Sequence, residues 1–220
     1  MVTPIRPFCS KRGTAIKTLA AAVAAINTFV ANVGGNVAPA PVLTHDEATW
    51  LVALKNNMMS GALATTHAAR SMEASGGGSI ILVSSISGKY HDLYHSMYGA
   101  AKTGTNFFAV SAALELARFG IRVNTINPGL TLTNSTGADV LDEFREQRRR
   151  DTPMQPIADV DDISELALFL SSDSSKWITG QVIDSDGGLG IHVGSDFGGI
   201  AAMIHGDEVM RDAGYPSRND

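Results

Sequence analysis

Short apolar runs alternate with longer helix-like segments along this chain, and this alternation restricts the fold more than any other feature. Residues 79–84 (SIILVS) form a continuous apolar run, which is typical of a strand covered on both faces. Other short apolar runs predict strands at 28–33, 121–126 and 181–185. The longer segments predict helices at 15–26, 46–74, 97–119, 138–150 and 161–171. Strands that alternate with helices predict a parallel sheet with helices on both faces, which is an α/β fold.

Two of these helices carry recognisable end signals. Thr44 followed by Glu47 has the form of a capping box, in which a hydroxyl caps the helix and a carboxylate three residues later bonds back. We therefore predict that Thr44 caps the helix at 46–74. Gly120 follows the helix at 97–119, a usual position for the glycine that ends a helix.

The size and charge of the chain exclude several classes of protein. With 220 residues it is most simply a single domain over 1–220. The net charge of −5 argues against a protein that binds nucleic acid or an anionic membrane. One basic cluster stands out, but carboxylates at 139–146 balance it, so we interpret it as a solvated helix face; it consists of Arg145, Arg148, Arg149 and Arg150.

Cys9 is the one cysteine of the chain, so an internal disulfide and a thiolate metal cluster are excluded. This fits a reducing compartment, and no apolar run reaches the length that crosses a bilayer. We therefore predict a cytoplasmic protein with no membrane partner. The apolar stretch at 19–26, preceded by basic residues, also resembles a weak secretory signal; we favour a helix leading into the strand at 28–33.

Three polar segments rich in Gly or Pro follow three of the predicted strands. They are residues 32–35, 84–88 and 127–133. In parallel sheets, ligands bind at the carboxyl ends of the strands. The sequence therefore predicts a ligand site where these three segments meet.

Tyr98 and Lys102 are four residues apart near the start of a predicted helix, so they lie on one helix face. A tyrosine hydroxyl has a pKa near 10, too high for a base at neutral pH, and a nearby ammonium group lowers it. The pair could exchange a proton with a substrate hydroxyl or carbonyl, and Ser85 could hydrogen-bond the same oxygen. The spacing alone is weak evidence, because a surface tyrosine beside an extended lysine gives the same pattern.

Six segments resemble the motifs of classical short-chain dehydrogenases/reductases, and they occur along the chain in the same order as in that family. Ser84-Ser85-Ile86-Ser87-Gly88 and Tyr98-Gly99-Ala100-Ala101-Lys102 resemble the catalytic core of that family. The other matching segments are 31–34 (ANVG), Asn57, 122–124 with 127–129 (RVN and NPG), and 178–181 with 186–188 (ITGQ and DGG). The resemblance runs from about residue 19 to 190, and its joint order and spacing argue against an accidental match.

The resemblance implies a Rossmann-like doubly wound sheet and an oxidoreductase that uses NAD or NADP to interconvert an alcohol and a ketone. Tyr98 would be the acid/base, Ser85 would orient the substrate, and Asn57 would hold a relay water. Lys102 would lower the tyrosine pKa and hold the nicotinamide ribose. The cofactor-binding positions that it implies, besides Tyr98 and Lys102, are Asn32, Gly34, Pro128, Gly129, Thr131 and Thr133.

The chain departs from the family pattern before Asn32. The family opens with a strand, a Gly-rich turn and a helix that holds the pyrophosphate, whereas Gly13 is the only glycine in residues 1–31. The helix at 15–26 matches the one before the family's fourth strand, and residues 1–14 are atypical. The first βαβαβ portion is therefore expected to be missing or degenerate, which puts dinucleotide binding in doubt.

Three explanations of this departure compete. The chain is a truncated or frame-shifted product of a reductase gene, which we favour because the phosphate site is lost as one block. Alternatively it is a degenerate, redox-inactive member that serves as a partner subunit. The third explanation is an enzyme that uses Ser85, Tyr98 and Lys102 for proton transfer without redox chemistry.

The loop at 89–97 (KYHDLYHSM) connects Ser85 to Tyr98, so we expect it to border the substrate. The predicted substrate contacts are Ser87, His91, Tyr94 and His95. Two histidines four residues apart are only a weak metal pattern, and we predict no metal site. Fragments at 32–35 and 186–190 resemble members that oxidise cis-dihydrodiols of aromatic compounds, which suggests a cyclic diol as substrate.

Members of the family pair through two long helices, which correspond here to 46–74 and 97–119. Both are rich in Ala and Met, which suits close packing, so we predict a homodimer or homotetramer. Residues 191–220 form a C-terminal extension beyond the last motif. Loss of the front strands would leave one sheet edge exposed.

Overall fold

A computed structural model describes residues 26–35, 37–133, 142–154, 157–191, 198–206 and 208–209 of the chain. The chain divides into two compact units, 1–190 and 191–220, and the boundary coincides with the start of the predicted C-terminal extension. The atypical segment 1–14 and all but one residue of the predicted helix at 15–26 lie outside the described residues. In the second unit, the described structure includes one helix, Gly198–His205.

The first unit is built on a parallel sheet, as the alternation of strands and helices predicts. Within the described residues the sheet has four strands in the order β1-β2-β3-β4, every neighbouring pair being parallel. The strands are β1 (Thr28–Ala31), β2 (Gly78–Val83), β3 (Ile121–Pro128) and β4 (Val182–Ser185). The strand order places β1 at one edge and the buried strands β2 and β3 in the centre.

Helices of the first unit pack on both faces of this sheet. The first unit contains α1 (Glu47–Leu54), α2 (Ser60–Ser75), α3 (Ser96–Leu116), α4 (Asp142–Asp151) and α5 (Val160–Ser171). The helix of the second unit, Gly198–His205, is called α6. Successive residues of a strand point to opposite faces. Ile80 and Leu82 accordingly pack in one core cluster with residues of α2 and α3, whereas Ile81 packs in another with Leu170 of α5.

The first long helix begins two residues later than a Thr44 cap requires, so the predicted capping box is wrong. Thr44 belongs to a preceding 3-10 turn, Val42–Thr44, where its hydroxyl donates to the Pro41 carbonyl at 2.9 Å. The cap is Asp46, whose Oδ1 accepts from the Thr49 backbone N–H at 2.8 Å. A carboxylate caps a helix as well as a hydroxyl does, and Asp46 therefore caps this helix in place of Thr44.

The predicted helix at 46–74 is not uniform. A π-helical turn, Lys55–Met59, joins α1 to α2, and this turn carries Asn57. π-helical turns inside α-helices often occur at functional sites.

The predicted helix at 97–119 is confirmed as α3 followed by a 3-10 turn, Ala117–Phe119, and Gly120 ends it with a φ of 70°. Large apolar side chains on its outer face remain exposed, among them Phe107 (76%) and Leu114 (83%). The homo-oligomer expected through this helix stays a prediction. Among the described residues, no helix combines the length and the apolar character needed to span a bilayer.

Candidate active site

A cavity of about 630 Å³ opens at the carboxyl ends of β1, β2 and β3. Asn32 and Gly34 line it beyond β1, Ser85 beyond β2, and Pro128 and Gly129 at the end of β3. This is the edge of the sheet where the polar strand ends predict a ligand site.

Ser85 and Tyr98 are brought together by a short turn packed against α3. Ser85 follows β2 and caps the 3-10 turn Ile86–Gly88, with its Oγ accepting from the Ser87 backbone N–H at 3.2 Å. The Gly88 carbonyl accepts from Thr103 Oγ1 at 2.9 Å, which attaches the turn to α3. Across this junction the Ser85 hydroxyl lies close enough to the Tyr98 hydroxyl to lower the pKa of Tyr98.

Lys102 lies one helical turn beyond Tyr98 and is 4% exposed. Its Nζ donates to the Val83 carbonyl at 3.3 Å and lies 5.6 Å from the centroid of the Tyr98 ring. Burial disfavours the ammonium form and lowers the pKa of Lys102 from 10.5 to about 8. The side chain is therefore still mainly charged at neutral pH.

The pKa of Tyr98 is raised, contrary to the expectation that Lys102 lowers it. Burial raises the pKa of Tyr98, and this effect outweighs that of the Ser85 hydroxyl, which lowers it. The Asp92 carboxylate raises the pKa of Tyr98 further, and Lys102, whose Nζ lies 5.6 Å from the ring centroid, is not among the groups that shift it. At neutral pH Tyr98 is a protonated hydroxyl, which suits a proton donor.

Asn57 is held against the cavity wall by three hydrogen bonds. Its Oδ1 accepts from the Gly35 backbone N–H at 3.1 Å, and its Nδ2 donates to the Ala53 carbonyl at 3.1 Å. Its own carbonyl accepts from Thr105 Oγ1 of α3 at 2.9 Å. The water relay implied for Asn57 stays a prediction.

Gly34 explains how Asn57 and Lys102 can lie side by side. The glycine has a φ of 136°, which residues with a side chain rarely adopt. A Cβ atom at this position would lie 2.5 Å from Asn57 Oδ1 and 3.1 Å from Lys102 Nζ. The backbone after β1 therefore approaches both side chains as closely as only a glycine permits.

The side chains present fit the nicotinamide end of a dinucleotide. All the positions that resemblance assigns to the cofactor line the cavity: Asn32, Gly34, Tyr98, Lys102, Pro128, Gly129, Thr131 and Thr133. Because Gly34 has no Cβ atom, no side chain fills the space beside the buried Nζ of Lys102 at the end of β1. The segment that would hold the pyrophosphate, before Asn32, lies largely outside the described residues.

The predicted substrate contacts divide into two groups. Ser87 and His95 line the cavity. The imidazole of His95 stacks on the Tyr98 ring, with centroids 4.6 Å apart and an interplanar angle of 17°. Burial lowers the pKa of His95, so this ring is neutral at pH 7.

His91 and Tyr94 are not brought to the cavity, and the prediction that they contact the substrate is not supported. Both side chains are exposed, Tyr94 to 59%. The loop turns sharply here, because Tyr94 adopts a left-handed backbone with a φ of 62° just before α3. Sequence position between Ser85 and Tyr98 therefore did not decide which loop residues reach the site.

Two cavity residues, Asp92 and Arg148, were not predicted. Arg148 Nη2 lies 2.5 Å from Asp92 Oδ1, and Ser87 Oγ donates to Asp92 Oδ2 at 2.7 Å. The interpretation of the arginine cluster as a solvated face is thus wrong for Arg148, because α4 turns this side chain into the cavity wall. The available signal was Asp92 itself, the single carboxylate in the loop at 89–97.

A comparison with known protein families shows which family the chain belongs to. A family model described as Enoyl-(Acyl carrier protein) reductase matches residues 11–190. The chain belongs to the short-chain dehydrogenase/reductase family. The resemblance read from the Ser85, Tyr98 and Lys102 segments is thereby confirmed.

Two curated members of the short-chain dehydrogenase/reductase family illustrate the similarity. An uncharacterized oxidoreductase of Bacillus subtilis is 39% identical over 120 residues, covering 51% of this chain and 44% of the relative. A cis-4-hydroxycyclohexanecarboxylate dehydrogenase of Sinomonas cyclohexanicum is 34% identical over 169 residues, covering 77% of this chain and 68% of the relative. The chain thus spans about half to two thirds of the length of these relatives.

Solved structures of the family have the same fold. A short-chain type dehydrogenase/reductase from Mycobacterium ulcerans has a TM-score of 0.77 at 30% identity, covering 90% of this chain and 72% of its own. A 7α-hydroxysteroid dehydrogenase complexed with NADH and 7-oxoglycochenodeoxycholic acid has a TM-score of 0.73 at 27% identity, covering 80% and 69%. The Rossmann-like fold predicted from the sequence is confirmed.

Proposed function

We propose that this protein is an NAD(P)-dependent oxidoreductase that interconverts a secondary alcohol and a ketone. The observation that carries the proposal is one cavity lined by Ser85, Tyr98, Lys102 and the cofactor positions, with Asn57 packed behind Gly34 of its wall. The first three provide two hydroxyl donors and a buried cation, the groups that a carbonyl oxygen needs as it becomes an alcohol.

In the direction of reduction, the substrate oxygen accepts hydrogen bonds from Ser85 and Tyr98. A nicotinamide held at Asn32, Gly34 and Lys102 would supply the hydride that bonds to the carbonyl carbon. Tyr98, protonated at neutral pH because burial raises its pKa, gives its phenolic proton to the oxygen. The phenolate left behind is stabilised by the ammonium of Lys102, 5.6 Å from the ring centroid,.

In the direction of oxidation, the same groups act in reverse. The alcohol gives its proton to a Tyr98 phenolate, and a bound oxidised nicotinamide would accept the hydride. A phenolate is scarce at neutral pH, since the pKa of Tyr98 is raised. We therefore expect reduction of the ketone to be the faster direction near pH 7, and oxidation to gain as the pH rises.

The relatives support a cyclic substrate. They include a cis-4-hydroxycyclohexanecarboxylate dehydrogenase and a 7α-hydroxysteroid dehydrogenase complexed with NADH. In this chain the cavity of about 630 Å³ has polar groups at the strand ends, and its lining also includes the apolar side chains of Leu130, Phe144 and Leu189. A ring with one hydroxyl or keto group fits a lining that is partly polar and partly apolar.

Cofactor binding is the first test of this function. NADH and NADPH are titrated separately with the protein while nicotinamide fluorescence is followed. We expect saturable binding of at least one cofactor, because Gly34 places no side chain beside Asn57 and Lys102, where the nicotinamide would bind. An absence of saturable binding at millimolar concentrations of both cofactors would contradict the proposal for this chain.

Adjacent glycines provide a matched pair of variants for the titration. Gly34→Ala introduces a Cβ 2.5 Å from Asn57 Oδ1 and 3.1 Å from Lys102 Nζ, whereas a Cβ at Gly35 meets no atom within 4 Å. We expect Gly34→Ala to weaken cofactor binding by about tenfold or more. Gly35→Ala should bind like the unmodified protein.

A further inference from the structure

Arg148 occupies an unusual place for a charged side chain. Helix α4 carries it into the wall of the cavity that contains Ser85 and Tyr98, and its side chain is 22% exposed. The guanidinium lies 5.1 Å from the centroid of the Phe144 ring, one helical turn earlier. Burying a guanidinium beside an aromatic ring costs free energy unless partners compensate.

Asp92 holds this guanidinium in a defined orientation. One carboxylate oxygen contacts Arg148 Nη2 at 2.5 Å, and the other accepts from Ser87 Oγ at 2.7 Å. Burial raises the pKa of Asp92, but the hydrogen bonds from Arg148 and Ser87 outweigh it and lower the pKa. Asp92 is therefore an anion at neutral pH and connects Arg148 to the segment of Ser85, two residues from Ser87.

The ion pair leaves donors of the guanidinium available. Arginine has five N–H donors in a planar fork, and in the part of the chain that the structure describes Asp92 takes one of them. Among the described residues, the charged side chains that line the cavity are Asp92, Lys102 and Arg148, two cations and one anion. These three side chains carry one positive charge in excess, which a neutral alcohol would leave uncompensated.

We propose that Arg148 binds a carboxylate of the substrate, so that the protein acts on hydroxy acids and the corresponding keto acids. The guanidinium pairs with the substrate carboxylate through two N–H donors, and Asp92 positions the guanidinium. The hydroxyl or keto group of the same molecule then lies at Ser85 and Tyr98. This substrate class rests on the proposed oxidoreductase function.

A keto acid and its methyl ester, which lacks the negative charge and has one more methyl group, test the proposal. The probes are 4-oxocyclohexanecarboxylate and its methyl ester, and their affinities are measured by titration calorimetry with and without the cofactor that binds. We expect the acid to bind about tenfold or more tightly than the ester. Equal affinities, or no binding of the acid, would overturn the assignment.

Variants on α4 identify the side chain responsible. Arg148→Leu should lose the preference for the acid over the ester, and Arg148→Lys should recover part of the preference. Arg149→Leu is the matched control, because Arg149 pairs with Glu146 on the exposed face of the same helix, and it should retain the full preference. A preference unaffected by Arg148→Leu would refute the role of Arg148.

Removing Arg148 alone leaves the Asp92 carboxylate without its cation, which could disturb the loop. The double variant Arg148→Leu with Asp92→Asn removes both charges, and circular dichroism checks its fold. It should show the same loss of preference for the acid; a restored preference would contradict the proposal. If both probes are reduced at equal rates, the oxidoreductase function stands and the carboxylate assignment fails. If no cofactor binds, the calorimetry still decides the assignment.

Discussion

Tyr98→Phe is expected to reduce turnover by roughly 10²- to 10⁴-fold, the usual contribution of a positioned general acid. The substitution removes the hydroxyl that lies close to the Ser85 hydroxyl and that donates the proton in our account. The ring remains, so its stacking on His95 and the shape of the cavity are preserved. Cofactor binding should therefore stay nearly unchanged in the fluorescence titration.

Tyr94→Phe is the matched control for this experiment. Tyr94 lies in the same loop, but its side chain is 59% exposed and does not reach the cavity. We expect it to retain full turnover and cofactor binding. Turnover retained in Tyr98→Phe, measured with the same ketone, would disprove the assignment of Tyr98 as the acid.

Lys102→Met is expected to increase the free energy of unfolding by about 2 kcal/mol at pH 7 while turnover is lost. The fall in the pKa of Lys102 from 10.5 to about 8 corresponds to about 3 kcal/mol of unfavourable burial. The variant also loses the hydrogen bond to the Val83 carbonyl, which offsets about 1 kcal/mol. Substitutions in active sites often raise the stability of a protein while they reduce its activity.

This difference should depend on pH in a defined direction. Below pH 8 the lysine is charged in both the folded and the unfolded protein, so the folded protein bears the full cost of burial. Between pH 8 and 10.5 the folded protein releases the proton while the unfolded chain keeps it, and the unmodified protein therefore becomes more stable relative to the variant. Above 10.5 the difference should no longer change.

Urea unfolding of both proteins at pH 7 and pH 10.5 measures this effect. Other titrating groups are common to both proteins and cancel in the comparison. Lys55→Met is the control, because Lys55 is exposed on the outer side of the π-helical turn, and it should change stability little at either pH. A Lys102→Met variant that is less stable at pH 7 than the unmodified protein would contradict a costly burial of the ammonium.

Local patterns in the sequence predicted the sheet and the centre of the site. The apolar run at 79–84 corresponds to β2, and the four-residue spacing of Tyr98 and Lys102 places both on α3 beside the cavity. These features depend on neighbours in the sequence, which is why they can be read from it. The family resemblance added Asn57 and Gly34, whose contact the structure makes explicit.

Features that depend on distant residues could not be predicted in this way. Arg148 and Asp92 are 56 positions apart, and their pairing follows from the packing of α4 over the loop at 89–97. The raised pKa of Tyr98 depends on burial, which the spacing to Lys102 does not report. The π-helical turn that carries Asn57 likewise interrupts a segment whose sequence is simply helical.

Transfer of a labelled hydride tests the central claim most directly. The protein is incubated with a cyclic ketone and with NADH or NADPH in which both hydrogens at C4 of the nicotinamide are deuterium, and the product is analysed by mass spectrometry and NMR. Our account predicts an alcohol with deuterium on the carbinol carbon, and no such product from Tyr98→Phe on the same time scale. Binding of the cofactor without any transfer of deuterium to the ketone would contradict it.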